Sequence, residues 1–578
     1  MALERMRTAL AGYEDAVSDA IAAAQQAALA ERIWRKDPAV WKAEEAHQKI
    51  IRNSLGWLSV PGRMLAVADE INAFAEQIRS SGNFKHVMLC GMGGSSLCPE
   101  VLRQTFGIQD SYPELLVLDS TDPDVLANFR AQIDLHSCLF VIASKSGTTT
   151  EPLVFYKYWY DQVRETKGNP GDSFVAITDP GTRMVEMATA DQFRHIFLNP
   201  PDIGGRYSAL SYFGLVPAAL MGLDIKKLLA RAEVMARSCG AEATGADNPG
   251  LHLGAIMAQC AKAGRNKLSI LADQKIAALG LWIEQLVAES TGKEGQGILP
   301  VQSEPLGEPE AYGSDRLFVS IALEDTDPPA VLDKLAVAGH PIVWRTLNDN
   351  YDLAGEFFLW EFATAVAGWR LGINPFDQPN VQESKDATKA LLDYFKAHGH
   401  LQEQEPLATD GTLTVYASER TQPSLPRGSV LDALRAHLSA VRAGDYIALL
   451  DYIEETPKIE EVLQLIRTTL RDGTRCAVTT GYGPRFLHST GQLHKGGPDS
   501  GVFIQITAGD NVDLPIPEES YSFSVLKQAQ ALGDFQSLSA HGRRALRVDL
   551  GADVLAGLTR LQELMVKALE TSVESSHG

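Results

Sequence analysis

Cys138-Leu-Phe-Val-Ile-Ala143 runs directly into Ser144-Lys-Ser-Gly-Thr-Thr-Thr-Glu151. The first half reads as a buried parallel strand, because such strands are apolar on both faces. The second half is small, hydroxyl-rich and glycine-bearing, and an apolar helical pattern follows from Leu153. A strand ending in clustered hydroxyls at a helix start makes an anion site, since backbone N–H groups and the helix dipole favour a phosphate there. The same residue types also suit a plain helix cap. The Lys-Ser/Thr ending of a nucleotide P-loop is absent, so the expected ligand is a small phosphorylated molecule.

The 578 residues exceed one hydrophobic core and imply three or four lobes. A formal net charge of −21 argues against nucleic acid as a partner. It leaves an anionic small ligand open, because salt screens distant charge within about 8–10 Å. Cys90, Cys98, Cys138, Cys239, Cys260 and Cys476 are scattered without a CxxC pair, so reduced thiols are expected rather than disulfides or zinc. Glu4, Glu14 and Asp15 near the start, with no long apolar core, give no sign of a signal peptide. No stretch nears the roughly 20 apolar residues that span a membrane. The expected compartment is the cytoplasm, with no membrane contact.

Residues 1–80 read as helical, with apolar spacing through Ile21–Ile33 and Met64–Ile78. Short apolar runs at Val87–Cys90, Leu115–Leu118, Leu139–Ala143 and Phe174–Thr178 then alternate with helical segments, which implies a parallel sheet covered on both faces. A helical bridge over Tyr207–Ala263 leads to a second alternation through Leu268–Leu271, Leu317–Ala322 and Pro341–Trp344. Residues 403–428, ending near Pro423-Ser-Leu-Pro426, read as a linker. A third α/β piece follows, with strands at Tyr446–Leu450, Thr474–Thr479, Val502–Thr507 and Ala545–Val548. The expected division is 1–80, 81–230, 231–402, the linker 403–428, and 429–578.

Gly91-Met-Gly-Gly-Ser-Ser-Leu97 follows the first apolar run and gives a second phosphate-type loop. It fails the GxGxxG spacing of dinucleotide sites, since Ser96 stands at the third glycine position. Further along come Gly204-Gly-Arg-Tyr-Ser208, Glu289-Ser-Thr-Gly-Lys293 and Asn374-Pro-Phe-Asp-Gln378. These five motifs, in this order over about residues 90–390, resemble phosphoglucose isomerases of the sugar-isomerase fold. The resemblance implies an α/β architecture of two sugar-isomerase-type parallel-sheet subdomains, with a helical N-terminal region and an additional C-terminal α/β lobe. It implies interconversion of glucose 6-phosphate and fructose 6-phosphate through an enediol. That chemistry needs a base near C1 and C2, a cation or donors for the oxyanion, and an acid/base for ring opening. Glu289 resembles the family's proton-shuttling glutamate, and Gln285, one helical turn earlier, its substrate-contacting glutamine. Arg206 resembles the arginine that stabilises the enediolate, a planar cation that does not compete as an acid. Lys385, after Gln378, resembles the lysine near the ring oxygen. Gly94, Ser95, Ser144, Lys145, Ser146, Thr149 and Gln378 would bind phosphate and sugar hydroxyls.

One departure matters. Long phosphoglucose isomerases follow the glutamate motif with a histidine segment that opens the ring. Here Gly307-Glu-Pro-Glu-Ala-Tyr-Gly-Ser-Asp-Arg316 has no histidine, and His340 beside a strand reads as structural. Phe486-Leu-His-Ser-Thr-Gly-Gln-Leu-His-Lys-Gly496 resembles the missing segment, moved to the C-terminal region. His488 is the expected ring-opening group, with His494 second and also a candidate substrate contact. Such a rearranged lobe resembles the isomerase half of transaldolase–phosphoglucose isomerase fusions. No barrel of about 250 residues precedes it, so transaldolase activity is not expected. Neither metal nor other cofactor is expected, since proton transfer needs none and no metal-spaced ligand cluster is visible. The remaining alternatives are a dual isomerase that also takes mannose 6-phosphate and a non-catalytic sugar-phosphate-binding regulator. The family often completes its site with a residue from a neighbouring subunit, which leaves a homo-oligomer open.

Overall fold

Strand Cys138–Ala143 is buried from end to end because its side chains alternate between two cores. Leu139, Val141 and Ala143 face a large core shared with the N-terminal helices and the second sheet. Cys138, Phe140 and Ile142 face the opposite way, toward Trp159 and Phe523. The computed structural model describes residues 5–243, 247–402 and 404–574; Glu4 and residue 403, the first of the expected linker, lie outside them.

This strand sits in a five-stranded parallel sheet ordered Glu114–Leu118, His86–Cys90, Cys138–Ala143, Phe174–Thr178, His195–Leu198. The chain moves outward one way from His86–Cys90 and then returns to its other side. Strand order therefore reverses between His86–Cys90 and Cys138–Ala143, and ligands bind at such switch points beyond the strand C-termini. Both phosphate-type loops emerge there.

The second sheet is ordered Met6–Ala9, Ile342–Leu347, Arg316–Leu323, Lys267–Ala272, Leu299–Gln302. Its last four strands are parallel and repeat the winding of the first sheet. The first runs antiparallel at the edge, so the N-terminal region is not wholly helical. Helices Glu14–Gln26, Leu29–Trp34 and Val60–Ser81 fill most of the rest. The third sheet joins Ala408–Thr409, Thr414–Ala417, Arg544–Asp549, Gly501–Thr507, Tyr446–Tyr452 and Ala477–Tyr482. Its first two strands come from the segment expected to be a linker. No apolar run marks them, because they are short and polar on one side and pair antiparallel at the sheet edge.

Helix starts follow local chemistry. Asp122-Pro123, Asn248-Pro249 and Thr456-Pro457 each place an accepting side chain before a proline that fits the first helical turn. Asp122 does more. One oxygen caps Asp124 N at 2.9 Å, and the other takes Lys527 Nζ at 2.8 Å from the C-terminal lobe. Asp124 receives Asn511 N and Val512 N, and Asp510 also meets Lys527. The Lys527 ammonium thus bridges Asp122 and Asp510, and Asp124 beside them is held by backbone N–H groups of the third lobe, so the acidic trio clips that lobe to the first sheet. Among the described residues all six cysteines are buried and free, and no helix is long and apolar enough to cross a membrane.

Candidate active site

Helix Leu279–Thr291 is buried along nearly its whole length, because it lies between the first two sheets and the third lobe. Four residues make one turn, so Gln285 and Glu289 share a face. Gln285 Nε2 lies 3.4 Å from Glu289 Oε2 and donates to the His488 carbonyl at 2.7 Å. Gln285 Oε1 is buried with no protein partner, which suits a ligand hydroxyl.

Arg206 is 3% exposed and its fork is fixed on every side. Nε donates to Ser290 Oγ at 2.7 Å, Nη1 to Gln378 Oε1 at 3.1 Å, and Nη2 to the carbonyls of Pro375 and Asp377 at 2.7 and 3.0 Å. Nη1 also lies 3.4 Å from Glu289 Oε1. Motifs far apart in sequence therefore meet on one guanidinium. Lys293, last residue of the glutamate motif, donates to Asp377 Oδ1 at 2.7 Å. Burial, followed by the nearby Arg206 charge, pushes its ammonium down to about 8.

The glycine loop touches this centre from the sheet side. Gly93 adopts φ +54°, and a Cβ there would fall 2.7 Å from Gln285 Nε2 and 3.0 Å from His488 Cβ. A Cβ on Gly94 would fall 2.0 Å from the Gly205 carbonyl oxygen, so backbone meets backbone beside Arg206. Gly94→Ala should therefore force the two loops apart, costing about 1–3 kcal/mol or more. Denaturant unfolding and sugar-phosphate affinity should both register it; wild-type values for both would show that the contact is slack.

The hydroxyl loop opens to solvent at Ser146, while Thr149 is half-buried and Ser144 buried. Ser144 Oγ lies 3.1 Å from Thr149 Oγ1. Thr149 stands at the N-cap of helix Thr150–Arg164 but makes no side-chain capping bond, which weakens the plain-cap reading. Lys145 is drawn aside, its Nζ 2.6 Å from Asp179 Oδ2. Ser95 is buried in the short turn Gly93–Ser95.

His488 does reach the site. Its Nε2 lies 3.4 Å from Glu151 Oε1, the last residue of the hydroxyl motif. Gln530 Nε2 donates to the same oxygen at 2.7 Å and is itself fixed by Thr121 Oγ1 at 2.7 Å. Burial works to raise the Glu151 carboxyl, yet His488, its own backbone and Lys385 together hold it below the ordinary carboxylate range. Lys385 is exposed on helix Val381–His398, with its charge felt at Glu151.

His494 does not join the others. Its ring is buried against Tyr446 and Phe503, with Nδ1 2.9 Å from the Tyr446 hydroxyl. Burial and the Lys495 and Arg543 charges push it well below the usual histidine range, as befits a neutral core residue. Its place six residues after His488, on the helix Gly491–Gly496, turns it into the third lobe. His340 is likewise buried, with burial pushing its pKa down to about 4.

Sequence reasoning passed over Glu151, Gln530 and Ser290. Glu151 was legible only as an acidic residue in a helix first turn, where the dipole alone justifies it. Gln530 is far away in sequence and carries no motif.

A profile of the phosphoglucose isomerase family matches residues 44–301. A glucose-6-phosphate isomerase of Leptospira biflexa is 27% identical over 411 residues, covering 61% of this chain and 90% of that one. A glucose-6-phosphate isomerase of Rubrobacter xylanophilus is 29% identical over 376 residues, covering 55% of this chain and 84% of that one. In fold, a hypothetical protein of Thermus thermophilus superposes with a TM-score of 0.57 at 22% identity, covering 67% of this chain and 99% of its own. Residues 44–301, which carry both phosphate-type loops, Arg206 and the Gln285–Glu289 helix, are thus the part of the chain that is similar to the phosphoglucose isomerase family.

Proposed function

We propose that the protein is a glucose-6-phosphate isomerase, interconverting glucose 6-phosphate and fructose 6-phosphate. The observation that carries this reading is the convergence of Glu289, Arg206, Gln285 and the His488 carbonyl around one helix, beside two loops suited to phosphate.

In this reading the phosphate sits against Ser144, Ser146, Thr149 and the loop N–H groups, with Ser95 and Gly94 close by. His488 turns Nε2 to Glu151, which leaves Nδ1 to take the anomeric hydroxyl proton and, as the C1–O5 bond breaks, to return a proton to the ring oxygen. Lys385 supports the ring oxygen. Glu289 then removes the C2 proton of the open-chain aldose and delivers it to C1, through an enediol whose negative oxygen faces Arg206. Gln285 and Gln378 hold the sugar hydroxyls and the arginine. No step draws on a metal or redox cofactor.

Residues 81–230 and 231–402 act as the two sugar-isomerase-type subdomains, and the lobe built on the third sheet, which begins with strand Ala408–Thr409, as the one that delivers His488. That delivery from the C-terminal side follows the pattern of the isomerase half of transaldolase fusions. The proposed compartment is the cytoplasm, and a homo-oligomer fits the family habit.

A coupled assay that follows glucose 6-phosphate formed from fructose 6-phosphate tests the activity. His488→Asn should slow turnover of the cyclic sugars by about 10²–10³-fold while leaving affinity for an open-chain aldonate phosphate nearly unchanged. An equal loss on both would remove His488 from ring opening.

A further inference from the structure

His488 lies in a loop, and a loop side chain needs fixing to act as an acid/base at one atom. The segment around it, Arg485–His488, is a short turn gripped from two directions. On one side Gln285 Nε2 holds the His488 carbonyl at 2.7 Å, and Glu284 Oε1 accepts Ser489 Oγ at 3.2 Å. Adjacent residues of the helix that carries Glu289 thus grip adjacent residues of the histidine loop. On the other side Arg485 reaches Glu455 at 3.0 Å and Asp119 at 3.6 Å, and Asp119 accepts Ser96 Oγ at 3.2 Å from the glycine loop.

We propose that Glu284 is a positioning residue for ring opening, acting on His488 through Ser489. This rests on the isomerase reading above and assigns a role to a residue outside the sugar contacts. Two features set Glu284 apart from a solvated helix carboxylate. It is 7% exposed, so its single side-chain partner is not interchangeable with bulk water. It also borders a cavity of about 250 Å³ whose lining includes Gln302, Arg485 and Ser489, and of these Ser489 is the one that donates to it. Burial pushes the Glu284 carboxyl up to about 7, against the pull of Ser489, Arg467 and Arg485. Gln285 fixes only the backbone of residue 488. The Glu284–Ser489 bond adds the second point that sets rotation of the loop, and so the direction of the imidazole toward Glu151.

The test compares ring opening with the rest of the site. Exchange between the α and β anomers of glucose 6-phosphate, followed by NMR, reads ring opening without proton transfer between carbons. Affinity for a five-carbon aldonate phosphate, an acyclic mimic of the enediolate, reads the phosphate loop, Arg206 and Glu289 alone. Ser489→Ala and Glu284→Leu should each slow anomer exchange and kcat on cyclic substrate by about tenfold or more, with mimic affinity changed less than threefold. The double variant should be no worse than the poorer single one, since both remove one bond. Glu284→Gln, which keeps an acceptor, should retain at least a third of the wild-type rate. Normal anomer exchange in Ser489→Ala would overturn the proposal. So would losses that multiply in the double variant, or mimic affinity that falls in step with turnover. If Glu284→Leu does not fold, Ser489→Ala and Glu284→Gln decide the matter unaided. A wild-type chain with neither turnover nor anomer exchange would overturn the isomerase reading and this proposal together, whereas a turning-over wild type with normal variants overturns only the proposal.

Discussion

Glu289→Gln is expected to lower kcat for fructose 6-phosphate by about 10³–10⁴-fold, with KM within a few-fold of wild type. The carboxylate is the only acid/base group on the helix face that meets Arg206. Glutamine keeps its size and can still accept from the guanidinium, so the pocket should keep its shape. The lost function is proton transfer, which no amide performs at neutral pH. Thermal unfolding should shift by only a few degrees, which separates loss of chemistry from loss of fold. Near-normal turnover in this variant would show that another group moves the proton.

The second large effect falls on Arg206. Arg206→Ala removes the fork that satisfies Ser290, Gln378 and two backbone carbonyls, and it leaves Glu289 without its nearest cation. Losing a preorganised oxyanion partner typically costs about 10²–10³ in kcat. Breaking a buried, hydrogen-bonded ion pair from one side destabilises by about 3–5 kcal/mol. Both losses are therefore expected together, the first in steady-state kinetics and the second in denaturant unfolding. Arg206→Lys should recover part of the stability but little of the rate, because an ammonium cannot span four acceptors in one plane. A fully active lysine variant would mean that charge alone suffices.

The parallel sheets were legible in sequence where strands are buried on both faces. Cys138–Ala143 reads as an unbroken apolar run, and Phe174–Thr178 and Arg316–Leu323 are broken only at Thr178 and at Arg316 and Ser320, because helices cover both sides. Edge strands gave no such run. Met6–Ala9, His195–Leu198 and Ala408–Thr409 are short and partly exposed, so tertiary pairing rather than pattern makes them strands. At the site, spacing placed Gln285 under Glu289, and glycines marked the places where loops pack backbone to backbone. Pairings across hundreds of residues were beyond it. Glu151 with His488 and Gln530, and Glu284 with Ser489, exist only because the third lobe packs against the first two sheets. The two histidines of the C-terminal segment look alike as sequence, and only burial against Tyr446 and Phe503 separates His494 from His488.

The proposed reaction is an aldose–ketose isomerisation by proton transfer at Glu289. Incubating the purified chain with fructose 6-phosphate in deuterated water, and following it by NMR, tests that claim most directly. Glucose 6-phosphate carrying deuterium at C2 is expected from wild type and is expected to be lost in Glu289→Gln. Saturable binding of the sugar phosphate with no aldose formed would contradict it, and would make the site one that binds without turning over.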